Sequence, residues 1–477
     1  AYVLDNPALK VFVPGLTEMD SVTLKARFSN EDGWNAHLNA PVLEMGANNL
    51  RNLQLHAVEE GDSVNISTTF ERFTSGPSIV IDQTRLLAVL RDNQIRFGLN
   101  IKDPEEKDKY NIKGLLQQPE QNKYLLSLSP DSLMLNYDEW TVNPNNQLIL
   151  SQDGINASQL VLSQNGQQLS VNSLSKQLNA PMEANFEGFQ LSTLTGFVQS
   201  DSTLINGILD GKITFNELSN EPVFVGDLDV KDLSLQGDTL GNLKIQVDNK
   251  TPGTYAADIV LNGRGNDVRV AGNYYLKKGD SQFDFDIDLR RLPMATIAAA
   301  SGDNLRDASG YAQGKFKLGG TIANPDVNGE LNFRQARFNF AMLNSYFSID
   351  QEKIRFDRTG IHFDQFEIKD SAQNTLVVDG LAATQNFVNY NFDMDIRARD
   401  FRALNSTKKD NKLFYGQLYF NTNLKVKGTE AAPAIDGRLV INENTKMTVV
   451  LPQNDPGIVQ REGIVEFVDM DATQLDS

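Results

Sequence analysis

Apolar and polar residues alternate one by one along most of the chain. "VTLKARF" puts Val22, Leu24, Ala26 and Phe28 on one side. "IRFGLNI" does the same with Ile95, Phe97, Leu99 and Ile101, "FDFDIDL" with Phe283, Phe285, Ile287 and Leu289, and "NYNFDMDI" with Tyr390, Phe392, Met394 and Ile396. A period of two marks a strand with one dry and one wet face. Buried parallel strands read as continuous apolar runs instead, so the pattern predicts mostly antiparallel pairing. Roughly thirty such segments succeed one another between Gly, Asn, Asp and Pro turn signals. Helical periodicity is scarce. Its clearest case is "LPMATIAAASG", 292–302, with Pro near the start and Gly302 at the end. Residues 85–90 read equally as a short helix or a buried strand.

The pattern also repeats at long range. "GTIANPDVNGELNF" (320–333) returns 108 residues later as "GTEAAPAIDGRLVI" (428–441), sharing G-T-x-x-x-P-x-(V/I)-x-G-x-L-x-(F/I). "PVFVGDLDV" (222–230) is a third copy. Gly207-x-x-x-Gly211-Lys212-Ile213 matches Gly310-x-x-x-Gly314-Lys315-Phe316 at an interval of 103. Residues 148–171 align with 354–378, and "EGIVEFVD" (462–469) resembles "EKIRFDR" (352–358). Repetition at about 105 residues predicts a quasi-linear array, not one globular core. It divides the chain into 1–205 with weaker repeats, units at 206–309 and 310–417, and a partial, truncated unit at 418–477, all within one elongated domain.

Candidate chemistry is sparse. The loop-like stretch 320–333 offers Asn324, Asp326 and Glu330, but one period on these become Ala432, Ala434 and Arg438. What recurs is Pro325, Gly329 and the apolar alternates. That set suits a strand entry and a close backbone contact rather than a ligand. Asp284, Asp286 and Asp288 resemble the start of a calcium loop, yet Leu289 and Ala295 stand where such a loop needs Gly and Glu. His37, His56 and His362 are isolated, outside metal-ligand spacings. The familiar nucleophile, zinc-protease, phosphate-loop and dinucleotide motifs are absent. The sequence therefore predicts no enzyme, no cofactor and no metal site.

Composition narrows this further. The 40% apolar content is enough to bury surface. A net charge of −18 argues against a nucleic-acid partner and against a polybasic membrane patch. With no Cys, disulfides and thiolate sites are excluded. No apolar run approaches a membrane span.

So many one-sided strands need their dry faces covered, and helices are too few to do it. A sandwich, a closed barrel or a long sheet curled around its own dry face would each serve. Here a resemblance enters. The G-T-x-x-x-P-x-(V/I)-x-G-x-L motif, the pattern from Ile354 to Gly380 and "FYGQLYFNTNLKVKGT" (414–429) resemble the C-terminal region of the TamB family, the translocation and assembly module proteins, most closely their Bacteroidota branch. The likeness covers 190–470 well and 1–190 loosely. It implies an all-β fold: an elongated, curled, mostly antiparallel sheet forming a hydrophobic groove. It also implies kinship with AsmA-like, bridge-like lipid-transfer proteins in the periplasm, with an inner-membrane anchor outside this chain. The expected partners are a phospholipid or other acyl lipid and an outer-membrane barrel of the TamA/BamA type. The family offers no catalytic residue to transfer.

The inward apolar alternates are then the expected lipid-lining residues. They are Phe283, Phe285, Ile287 and Leu289; Phe316 and Leu318; Val327, Leu331 and Phe333; and Ile354 and Phe356. Ile361, Phe363, Phe366 and Ile368 follow, then Phe392, Met394 and Ile396, Leu424 and Val426, and Ile435, Leu439 and Ile441. The rival expectation is an assembly chaperone whose strand edges pair with nascent outer-membrane strands by β-augmentation.

Overall fold

The computed structural model describes residues 2–3, 15–29, 33–76, 79–131, 133–196, 205–216, 223–277 and 281–450. Among them, 33 strands join into one sheet in which each pairing is antiparallel. Most strands pair with their sequence neighbours, so the sheet grows by hairpins along an elongated, curled body. Residues 85–90 fall inside the strand Ile79–Arg91. The alternatives of a sandwich or a closed barrel are not adopted.

Several positions in this ladder hold two short strands end to end. Pro325–Phe340 pairs with Ser345–Ile349 over its C-terminal part and with Lys353–Asp357 nearer its start. Gly360–Asp370 then pairs with both. Asp108–Glu120 is likewise flanked by Lys123–Leu128 and Leu133–Leu135, and Phe414–Thr429 by Ala432–Ile441 and Lys446–Val449. From Ile205–Asn216 to Gln282–Pro293 the chain passes through six strands before a helix. From Leu305–Gly320 to Asn391–Ser406 it passes through seven, two of which share one position.

The stretch 320–333 is a hairpin. Gly320 ends one strand, Pro325 opens the next, and the two pair directly. A strand-opening Pro costs no ladder bond where its missing N–H is not needed. Gly329 lies opposite Phe316, as Gly226 lies opposite Ile213 and Gly437 opposite Leu424. In each copy the glycine leaves room for the large side chain across from it. A Cβ at Gly329 would stand 2.2 Å from the Lys315 carbonyl and 2.6 Å from the Phe316 ring. Pro222 and the segment 462–469 lie outside the described residues.

Among the described residues two helices interrupt the sheet, and they begin one sequence interval apart: Leu191–Thr195 and Met294–Ala300. The second has the Ala-rich composition that favours a helix, and Gly302, with φ +62°, ends its last turn. Both lie on the apolar face of the sheet. Met294 is buried against Ala312, Phe333 and Phe366, and Leu191 packs with Phe189, Leu209 and Val230. The 292–302 pattern located the second helix; the first, five residues long, has no comparable period to find it by.

Candidate functional site

The apolar alternates meet edge to edge across successive strands. Ile287 faces Val270 on one side and Phe316 on the other. Phe316 faces Gly329, and Gly329 faces Phe356. Phe356 faces Ile361, and Phe363 faces Ile354 on one side and Gly380 on the other. Gly380 faces Met394, which faces Val426, which faces Ile435. Phe283, Phe285 and Leu289 lie opposite Tyr274, Gly272 and Val268. Leu318, Val327, Leu331 and Phe333 follow through the next two strands. Phe366, Ile368, Phe392, Ile396, Leu424, Leu439 and Ile441 complete the set. Register thus places all the expected lining residues on one face, and the row extends back through Leu261, Ile245, Leu228, Leu99 and Leu38 toward the chain's start.

Among the described residues little covers this face. Phe333 and Phe366 are buried beneath the helix Met294–Ala300. Ile435, Leu439 and Ile441 are 63%, 57% and 61% exposed. The other expected lining residues are half-buried. Aromatic rings touch along the row, with Phe316 and Phe356 at 5.5 Å and Phe363 and Phe366 at 5.8 Å, edge to face. The opposite face carries cross-strand charge pairs: Arg269–Asp258 at 2.6 Å, Lys317–Asp284 at 3.1 Å and Lys353–Glu330 at 3.4 Å. Exposed pairs of this kind add little stability, but they keep that face wet.

Alternation alone cannot place Phe363 and Phe366 on one face, because three residues separate them. A β-bulge does it. The register slips between them, and Gln365 adopts a left-handed φ of +48°. The same device recurs at Gly188, Asp232 and Asp400, with φ of +55°, +48° and +51°. Each bulge N–H is capped by a side chain of the next strand in sequence. Gly188 donates to Asp210 at 2.7 Å, Asp232 to Asn242 at 3.1 Å, Gln365 to Asp379 at 3.0 Å and Asp400 to Asn421 at 2.7 Å. Bulges bend a strand and increase its twist, so a row of them curls the sheet. Positions just past such slips are missed by parity: Phe401 is on the apolar side, opposite Phe420. A polar residue breaking an otherwise strict alternation is the signal for them.

The caps carry a pH dependence. The Gly188 N–H and then Lys231 hold Asp210 below the usual carboxylate range, and the Gln365 N–H does the same for Asp379. A depressed folded pKa means the contribution is complete above the unfolded value of about 3.9 and is lost as pH falls through the lower folded value. Amide-exchange protection at Gly188 and Gln365 is therefore expected to be constant down to about pH 4 and to fall below it. Asp232 and Asp400, capped by uncharged Asn242 and Asn421, keep theirs; equal behaviour at all four would contradict this.

The remaining polar candidates serve structure. Asp284 and Asp286 share Lys317, and Asp288 meets Arg290. His362 is bonded to Asp357 at 3.0 Å and Thr359 at 2.9 Å in a hairpin turn. His37 and His56, far apart in sequence, stack across neighbouring strands at 4.1 Å. Among the described residues no group of three or more His, Asp or Glu is placed to hold a metal ion, and no helix is long and apolar enough to cross a membrane.

Comparison with known families settles the kinship. The TamB C-terminal domain matches residues 181–362 and 364–476. The chain belongs to the TamB family. No curated protein and no solved structure matches it. TamB proteins belong to the cell envelope and act in transport or assembly with a TamA-type partner. In this TamB chain the match spans both helix-proximal stretches, including the hairpins at 320–333 and 428–441.

Proposed function

We propose that the apolar face is a periplasmic conduit along which phospholipid moves between inner and outer membranes. The observation that supports it is an apolar row, continuous in register across the sheet, that the described residues leave only half-covered. Contiguous exposed apolar surface on this scale marks a binding surface. Exposing acyl chains costs about 0.8 kcal/mol per CH₂. For two chains of about sixteen carbons that is on the order of 25 kcal/mol. Such a barrier permits roughly one escape in days. An apolar groove removes most of it without chemistry, so no catalytic residue is required.

We further propose that 206–309 and 310–417 are successive units of this conduit, with 1–205 ahead of them and 418–477 after. An inner-membrane anchor outside this chain and a TamA/BamA-type barrel would give the conduit its two ends. Native mass spectrometry of the purified protein tests the reading: bound phospholipid is expected, and a protein that carries none after exposure to phospholipid micelles contradicts it. A second reading draws on Ala432–Ile441, which among the described residues pairs on one side only. This free edge suits β-augmentation of a nascent barrel strand. Crosslinks from this strand to protein instead of lipid would favour that role.

A further inference from the structure

The apolar face is not uniform across its width. Between residues 215 and 283 one margin carries a row of aromatics. Phe215 lies 6.4 Å from Phe224, Phe224 lies 6.2 Å from Tyr255, and Tyr255 lies 6.2 Å from Tyr274, centroid to centroid. Tyr274 stands directly opposite Phe283. Each is one residue in from a strand end: Ile205–Asn216, Val223–Leu235, Thr254–Gly263, Asn266–Tyr275 and Gln282–Pro293. The antiparallel order brings these five ends to the same margin. The helix Met294–Ala300 follows the other end of Gln282–Pro293, so the helix-bearing margin lies opposite.

All five rings point to the apolar side, as their register with Ala257, Gly272 and Phe285 requires. All are half-buried. Two carry hydroxyls, and among the described residues neither Tyr255 nor Tyr274 has a hydrogen-bond partner for its hydroxyl. Tyrosine, with an apolar body and a polar tip, is enriched where a dry region meets a wet one. Across the width of the sheet the surface therefore runs from polar-tipped aromatics at one margin to aliphatic side chains and a covering helix at the other.

We infer that this margin holds the headgroup end of a diacyl phospholipid. The Tyr255 and Tyr274 hydroxyls donate to its ester or phosphate oxygens, and the acyl chains point toward the helix-bearing margin. This rests on the groove reading and adds an orientation to it. The gradient argues for a ligand with one polar and one hydrocarbon end, which neither a β-strand nor a wholly apolar molecule matches.

The test compares two probes with the same chains, dioleoylphosphatidylglycerol and dioleoylglycerol, delivered to the full chain from detergent micelles and counted per protein by native mass spectrometry. Tyr255→Phe/Tyr274→Phe keeps the stacked rings and removes both hydroxyls. It is expected to lower phosphatidylglycerol binding about tenfold and to leave dioleoylglycerol unchanged. Equal loss of both probes, or loss of neither, overturns the headgroup assignment while the groove stands. If neither probe binds the unaltered protein, the groove reading fails and the orientation with it.

Discussion

Ile287→Asp is expected to cut bound phospholipid by at least about a hundredfold while the sheet stays folded. Ile287 sits mid-strand, with Val270 and Phe316 directly beside it on the apolar face. An acyl chain crossing that point must strip water from the new carboxylate, and the effective penalty for taking an ion out of water is several kcal/mol. In the empty protein the carboxylate stays hydrated, because the position is only half-buried. The fold therefore pays little and the ligand pays most. Asp288→Asn, one residue away on the charged face, is the matched control and should leave lipid binding unchanged. Native mass spectrometry reads both. A wild-type lipid load in Ile287→Asp would mean that lipid does not pass over this row.

Gly329→Val is expected to break the hairpin 305–340 locally. The added Cβ would meet the Lys315 carbonyl at 2.2 Å, a backbone atom that cannot swing aside, and the Phe316 ring at 2.6 Å. Gly314, across the same hairpin, is as tight, with the Glu330 carbonyl at 2.1 Å from where a Cβ would lie. Overpacking of this kind costs about 3 kcal/mol or more. In a sheet built of successive hairpins the damage stays near its origin. Hydrogen exchange should therefore show lost protection across Leu305–Gly320 and Pro325–Phe340, with strands such as Asp238–Thr251 unaffected. Gly226→Val is the milder comparison, since its nearest neighbour is the Val247 side chain at 3.0 Å and not backbone. Equal damage from the two substitutions would mean that backbone contact is not what the glycine provides.

These two predictions draw on different layers of the sequence. Alternation was legible because Phe283, Phe285, Ile287 and Leu289 repeat at a strict period of two, and pairing then carried that parity from strand to strand. The recurrence of Gly329 and Gly437 was legible as well, though its reason, a large side chain lying over the facing glycine, needed the register. What alternation hid was the bulge. Asp400 shifts the phase by one, so Phe401 reads as out of step with Ile396 although it sits on the apolar side, and Gln365 in the same way brings Phe366 to the face of Phe363 across a three-residue spacing. The aromatic margin was hidden for a related reason. Phe215, Phe224, Tyr255 and Tyr274 lie on four different strands, and only the antiparallel order brings them side by side. The stacking of His37 on His56 is invisible in sequence on the same grounds.

If lipid travels on one face of this sheet, neighbouring residues of opposite parity must differ in what they touch. Photo-crosslinking residues placed in living cells at Phe285 and Phe356, and at their strand neighbours Asp286 and Arg355, test it most directly. Phospholipid adducts are expected at Phe285 and Phe356 and none at Asp286 or Arg355. Equal capture at both parities, or capture of protein alone at the apolar positions, would contradict it.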